Sequence, residues 1–209
     1  MKDRALEKIV PHRSQRPVAF ESLMPWGVRN ILLVSSLYDA YTFQEDGRLT
    51  EMLFSEYLEL NLRYAPRVER ASTAAEALEM LRTRPFDLVI SMLKVGDSDV
   101  ADFRRAVHVL DPEIPLVLLA SNARELAVLG ETAALSGTDR VFMWSGDARL
   151  FLAIIKCVED RVNAAHDTRA VGVPVLILVE DNVRFYSSYL PLLYTELVNH
   201  RSEERRVGK

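Results

Sequence analysis

Few residues in this 209-residue chain have the types and spacing that chemistry requires. Its four histidines, His12, His108, His166 and His200, share no metal-ligand spacing. Cys157 is the single cysteine, which excludes an internal disulfide framework and a Cys-rich zinc site. No Walker A loop, dinucleotide fingerprint or nucleophile elbow occurs. Ser145-Gly146-Asp147 could turn backbone N–H groups toward an anion, but Asp147 reads first as a helix N-cap. The carboxylates with most to offer are Asp97 and Asp99 in a loop, and the adjacent Glu180 and Asp181 after an apolar run. Carboxylates serve as nucleophiles or as ligands for hard divalent cations. Taken alone, these four read as solvated turn formers, helix caps or strand ends.

The elements that must position such residues recur with a clear rhythm. Four short apolar runs, Ile31–Val34, Leu88–Ile90, Leu116–Leu119 and Arg140–Met143, and a weaker one at Arg67–Ala71, read as strands. Their apolar residues do not alternate strictly, so both faces are expected to be buried, as in parallel sheets covered by helices. Helical spacing separates them: Leu49 to Tyr64, Ala74–Leu81, Ala101–Leu110, Ala123–Leu129 and Ala148–Val162. Ser72 or Thr73 is placed to cap the second of these, with Glu76 completing a capping box. The pattern predicts an α/β fold, a doubly wound five-stranded parallel sheet with helices on both faces. A parallel sheet places ligand chemistry at the carboxyl ends of its strands.

Read at those ends, FDLVISMLKVGDSDV resembles the third strand of bacterial response-regulator receiver domains, which commonly runs DLVLLD into a Met-Pro-Gly-type loop. VLILVEDN, near the end of the chain, resembles a receiver first strand more closely. The resemblance spans about Ile31–Val162 and then Val175–Asn199. It implies a flavodoxin-like fold, an aspartate that accepts a phosphoryl group, a Mg²⁺ held by acidic residues after strand one, a Thr or Ser after strand four and a Lys after strand five. Such a site needs an acidic nucleophile, a cation and fixed donors for developing charge. In the first domain those positions fall on other residues. Counting from Asp87, the acceptor position is Met92; the acidic pair is Ser35 and Ser36; the hydroxyl position is Ala120, with Ser121 adjacent; the lysine position is Trp144. The first domain is therefore expected to be a pseudo-receiver with no catalytic residues and no cofactor. The alternatives are a displaced acceptor at Asp97 or Asp99, with Asp39, Glu45 or Asp46 on the metal, or a flavodoxin-like small-ligand domain using the long stretch LYDAYTFQEDGR. Tyr38, Tyr41, Phe43 and Trp144 are expected to fill the vacated pocket.

The resulting organisation is an N-terminal extension (1–28), a receiver-like domain (29–165), a linker (166–173), the opening β-α unit of a second receiver (174–200) and a non-native tail (201–209). Val175–Val179 is read as the strand of that unit and Phe185–Val198 as its helix, kinked or shifted at Pro191. Glu180 and Asp181 match the receiver acidic pair and would bind Mg²⁺ only in a complete second domain. Phe20, Leu23, Met24 and Trp26 are expected to pack on the domain. Leu150, Ile154, Ile155 and Val158 give the last helix of the first domain more apolar surface than one core stripe requires, which points to protein partners or a homodimer.

Composition narrows the classes further. Hydrophobic residues make up 49% and charged residues 27%, an ordinary globular balance rather than a disordered one. No apolar run approaches the ~18 residues of a membrane span. A net charge of −4 argues against a dominant nucleic-acid surface, and the 21 arginines form no stripe. The first residues, MKDRALEKIV, lack the apolar core of a signal peptide, so a cytoplasmic location is expected. The expected role is a non-enzymatic signal-transduction module of phosphorelay type. The pattern also resembles tandem receiver regions fused upstream of a phosphoenolpyruvate/pyruvate-binding enzyme.

Overall fold

The computed structural model describes residues 23–36, 49–59, 65–94, 98–132, 139–170, 172 and 175–207. Five parallel strands, β1 (Asn30–Val34), β2 (Arg67–Ala71), β3 (Leu88–Met92), β4 (Leu116–Ala120) and β5 (Arg140–Met143), form one sheet in the order β2-β1-β3-β4-β5. Between and after them run α1 (Leu49–Glu59), α2 (Ala74–Thr83), α3 (Val100–Leu110), α4 (Ala123–Thr132), α5 (Arg149–Ala170) and α6 (Val183–Val207). The strand order is the flavodoxin-like one, with its reversal between β1 and β3. The expected fold class holds, and each of the five strand runs forms a strand. Every residue of β3 and β4 is buried, as is β1 from Ile31 onward. That two-sided burial is why these runs carry no polar alternation.

Local polar chemistry fixes where elements start. Thr73 Oγ1 accepts from the Glu76 N–H at 3.1 Å, while the Glu76 carboxylate reaches back to the Ser72 N–H at 2.7 Å. The capping box is present, its return bond shifted one residue toward the N-terminus. Asp87 pins the register of the central strands. Its carboxylate accepts from the Arg29 and Asn30 N–H groups at 2.9 and 2.8 Å, and its own N–H donates to the Asn30 carbonyl.

Helix α5 departs from the reading in length: it runs to Ala170, through residues expected to start a linker. Its second half is held by a strap formed by the chain just before β1. The N–H groups of Met24, Trp26 and Val28 donate in turn to Asp167, Asn163 and Glu159, at 3.1, 3.0 and 2.9 Å. Asn163 also donates through Nδ2 to the Trp26 carbonyl at 2.8 Å, and Lys156 pairs with Glu159 at 2.6 Å. The spacings match physically: two extended residues advance ~6.6 Å and four helical residues ~6.0 Å. Alternate strap amides therefore meet every fourth helix residue. Glu159, Asn163 and Asp167 are buried by this contact, so their polarity serves the strap rather than solvent. Of the apolar residues expected to pack here, Trp26 does pack against the core; Phe20 lies outside the described residues.

The chain after α5 departs further. Val175–Val179 forms no strand and is exposed, and α6 starts at Val183 with Asn182 as its cap. A lone run of high β-propensity has no ladder to join, and propensity alone does not hold a strand in water. Helix α6 continues through Pro191 and lies against α5 and β5. Leu190 is buried, the Tyr186 ring lies 5.3 Å from that of Phe142, and the Tyr194 hydroxyl donates to Asp160 at 2.8 Å. Ser187 Oγ accepts from the Met143 N–H at 2.8 Å, satisfying a donor on the open edge of β5. Burial first, and then the Asp160 carboxylate, push the Tyr194 hydroxyl well above the usual phenol range, so it remains a donor.

The strap makes a direct prediction. Asn163→Ala removes both partners of Trp26 and should cost about 1–3 kcal/mol. A urea midpoint lowered accordingly, with faster amide exchange at Trp26 while β3 amides stay protected, is the expected outcome.

Candidate functional site

The carboxyl ends of β1, β3, β4 and β5 converge on one edge of the sheet, beside the β1–β3 reversal where α/β folds place ligands. Met92 ends β3 and is buried, and the next N–H, that of Leu93, donates to the Leu119 carbonyl at 3.0 Å. Ala120 ends β4, fully buried, and its carbonyl accepts from the Trp144 N–H at 2.8 Å. Ser35 and Ser36 follow β1; the Ser35 N–H donates to the Ala71 carbonyl at 3.1 Å. The structure thus brings Ser35, Ser36, Met92, Ala120 and Trp144 to one sheet edge, in the register read from sequence.

The chemistry available there is sparse. Met92 presents a thioether in a dry position, and Ser35 and Ser36 offer hydroxyls where a hard divalent cation needs carboxylates. This donor set does not fit Mg²⁺. The first backbone donor after β4 is already used. Glu125 of α4 accepts from the Ser121 N–H at 2.8 Å, and its other oxygen lies 3.7 Å from Lys94 Nζ. An anion arriving at this edge would meet a carboxylate where stabilising donors are required. Trp144 turns its ring edge-on to Phe151, centroids 5.3 Å apart, and packs on the core. Tyr38, Tyr41 and Phe43, and the alternative metal ligands Asp39, Glu45 and Asp46, lie outside the described residues.

The displaced-acceptor alternative divides. Asp97 lies outside the described residues, whereas Asp99 is the N-cap of α3, its carboxylate accepting from the Ala101 N–H at 2.7 Å. Asp147 likewise serves α5, accepting from the Arg149 N–H and pairing with its guanidinium. That side-chain bond holds the Asp147 carboxyl below its ordinary range, against the opposing effect of partial burial. Its contribution to stability is present above the unfolded-state pKa and is lost as pH falls through the lowered folded value.

Glu180 and Asp181 lie just before α6, where the Glu180 carboxylate accepts from the Asn182 N–H at 2.9 Å. Among the described residues no group of three or more His, Cys, Asp or Glu side chains is placed to hold a metal ion. Leu150, Ile154, Ile155 and Val158 are not an exposed surface: all four are buried. Their excess of apolar surface is taken up by the sheet and the layer around α5, so the expected partner face on these side chains is corrected to core.

One polar cluster was not visible from sequence. Asp139, just before β5, is buried; its Oδ1 accepts from His108 Nε2 at 2.7 Å, and its Oδ2 is ion-paired with Arg104 Nε at 3.0 Å, both partners from α3. The His108 Nδ1 atom is buried without a partner. The i, i+4 spacing of Arg104 and His108 was the available signal, but their common partner is 31 residues beyond His108. The cluster ties α3 to the start of β5, at the opposite edge from the strand ends.

No family model matches the chain, and no curated protein matches it. Solved structures do resemble it. One is a CheY-like response regulator receiver domain protein from Methanospirillum hungatei JF-1, 18% identical with a TM-score of 0.48, covering 66% of this chain and 99% of that one. Another is the non-phosphorylated HemR receiver domain from Leptospira biflexa, 25% identical with a TM-score of 0.42, covering 63% and 94%. A third fuses a yeast Spc42 trimeric coiled-coil segment to another structure, at 20% identity and a TM-score of 0.50, covering 69% and 89%. The class defined by fold and strand order is a flavodoxin-like α/β domain.

Two substitutions probe this architecture. Ser35 Oγ is buried with no hydrogen-bond partner. Ser35→Ala should therefore raise stability by up to about 1 kcal/mol in urea unfolding, since an unpaired hydroxyl is removed. Asp139→Ala should cost about 3 kcal/mol by the same measurement, because Arg104 and His108 lose their shared partner.

Proposed function

We propose that the chain is a signal-transduction module of phosphorelay type whose first domain does not accept phosphate and acts, without catalysis, through protein contacts. The observation that carries this reading is Met92, a buried thioether at the end of the central strand β3 where the chemistry would demand a carboxylate. Ser35, Ser36, Ala120 and Trp144 support it, since none replaces the missing cation ligands or phosphoryl donors. Glu125 adds to it by occupying the Ser121 amide and facing Lys94.

In the same reading, residues 29–165 are the receiver-like domain, preceded by 1–28 and followed by the linker 166–173. Residues 174–200 open a second domain of the same type, and 201–209 are a non-native tail. Glu180 and Asp181 would then contribute to a Mg²⁺ site once a complete second domain surrounds them. An upstream position relative to a phosphoenolpyruvate/pyruvate-binding enzyme is the finest form of this proposal. Among the described residues no helix is long and apolar enough to cross a membrane. The proposed setting is the cytoplasm, with protein partners rather than nucleic acid.

The test is incubation with acetyl phosphate and Mg²⁺, read by intact mass. The unmodified chain is expected. A phosphoryl adduct abolished by Asp97→Asn or Asp99→Asn would overturn the reading in favour of a displaced acceptor.

A further inference from the structure

Helix α5 changes character after Val158. Up to that residue it is a core helix, with Leu150, Ile154, Ile155 and Val158 all buried. From Glu159 to Ala170 no apolar side chain is buried: Val162 is 48% exposed, and Ala164, Ala165 and Ala170 are exposed. The buried residues of this stretch are Glu159, Asn163 and Asp167, and all three bond the strap. A helix without an apolar face gains nothing from a core, and Asn, His, Asp, Thr and Val are poor helix formers. Asp167, with His166 Nδ1 2.9 Å away, also lies in the last turn, at the negative end of the helix dipole. The stop of the helix is local: Gly172, at φ 71°, donates its N–H to the Thr168 carbonyl at 3.1 Å. Its hold is distant, because the strap lies more than 130 residues away in sequence. The strap is no more favourable alone. Met24 has a left-handed φ of 51°, a strained backbone for a residue with a side chain, and is kept there by an N–H shared between both Asp167 oxygens, at 3.1 and 3.3 Å.

We propose that the strap and Glu159–Ala170 form one cooperative latch, in which this half of α5 is helical only while Met24–Val28 is docked. Docked, α5 runs unbroken to Ala170 and leads through the connector, residues 171–182, into α6. Undocked, the helix ends near Val158, where its core support ends, and about 18 Å of rod is lost. The seat of α6 is divided between the two halves. Cys157, beside the Tyr186 hydroxyl, belongs to the core half, whereas Asp160, which accepts from Tyr194, belongs to the conditional half. Release therefore loosens the far end of α6 first. The order of release is also set. The Met24–Asp167 contact is outermost, with the strained backbone and the most exposed of the three anchors, while Glu159 is innermost and is held as well by Lys156 at 2.6 Å. The chain that enters at Met24 thus controls the length of the helix that carries the chain leaving at Ala170. The sheet edge takes no part, so the latch stands independently of the functional reading above.

Amide exchange of the 209-residue protein, followed residue by residue by NMR, tests the latch from both sides. Met24→Pro with Trp26→Pro removes the two outer strap donors and leaves the sequence of α5 unaltered. Residues 164–170 should then exchange about tenfold faster or more, while β3 and Phe151–Val158 keep their protection. Ala164→Gly with Ala165→Gly reads the reverse direction. Both positions are exposed and take no part in the strap bonds, and two glycines weaken a helix about 20-fold. Coupling is reciprocal, so the Met24 and Trp26 amides should exchange faster by up to that factor. Unchanged protection at 164–170 in the proline variant, or at Met24 and Trp26 in the glycine variant, would overturn the proposal. So would faster exchange that spreads to β3, since the latch would then be part of the global fold. The glycine variant alters neither core nor strap, and it decides the matter alone should the proline variant not fold.

Discussion

Helix α5 is committed on more than one side, and the sheet, the strap and α6 all meet on that helix. Leu150, Ile154 and Ile155 close the core beneath it. Glu159, Asn163 and Asp167 hold the strap, and Cys157 and Asp160 meet the tyrosines of α6. A surface helix ordinarily gives its core one stripe and leaves the rest to water. Here the strap and α6 cover two further stripes, while Arg161, Val162, Ala164 and Ala165 stay exposed. The consequence reaches the sheet: β5 is an edge strand, and α6 can satisfy the Met143 N–H only because α5 provides its seat.

The same logic of saturation explains the sheet edge where chemistry would be sought. Because β3 and β4 are buried on both faces, their side chains belong to packing, and reactive groups must come from the strand ends and following loops. At those ends the polar groups serve local structure. Glu125 satisfies the Ser121 amide, Asp99 and Asp147 cap helices, and Trp144 packs on Phe151. Charge that secures a helix terminus is not free to stabilise a phosphoryl group. Among the described residues, the polar groups at this edge serve caps and packing.

The sheet was legible because its signals are local. Apolar runs of four or five residues, with Thr73 and Asp87 at their borders, define strands and starts without knowledge of partners, and the candidate positions at strand ends followed from that register. What was illegible depended on distant partners. The chain after Val162, with the linker set at 166–173, read as solvated because of its polarity, yet Asn163 and Asp167 bind backbone more than 130 residues away. The signal was the four-residue spacing of Glu159, Asn163 and Asp167, meaningful only beside an extended segment. Leu150, Ile154, Ile155 and Val158 were read as surplus surface because a single covering layer was assumed. Val175–Val179 was read as a strand from composition, but a strand is a pairing and composition supplies only one half of it.

The surplus apolar surface has therefore moved rather than vanished. Assigned by sequence to α5, it is found on the connector and the outer side of α6. The strap and α6 meet α5 through bonds to named polar groups, which restrict how each can sit on the helix. Ser187 on Met143, Tyr194 on Asp160 and the Tyr186 hydroxyl beside Cys157 orient α6 so that Leu190 turns inward. A helix rotated by half a turn would bury Tyr189 and Leu192 instead, but would leave the edge amide of β5 without its acceptor. Polar satisfaction selects which apolar stripe is buried and which stays exposed.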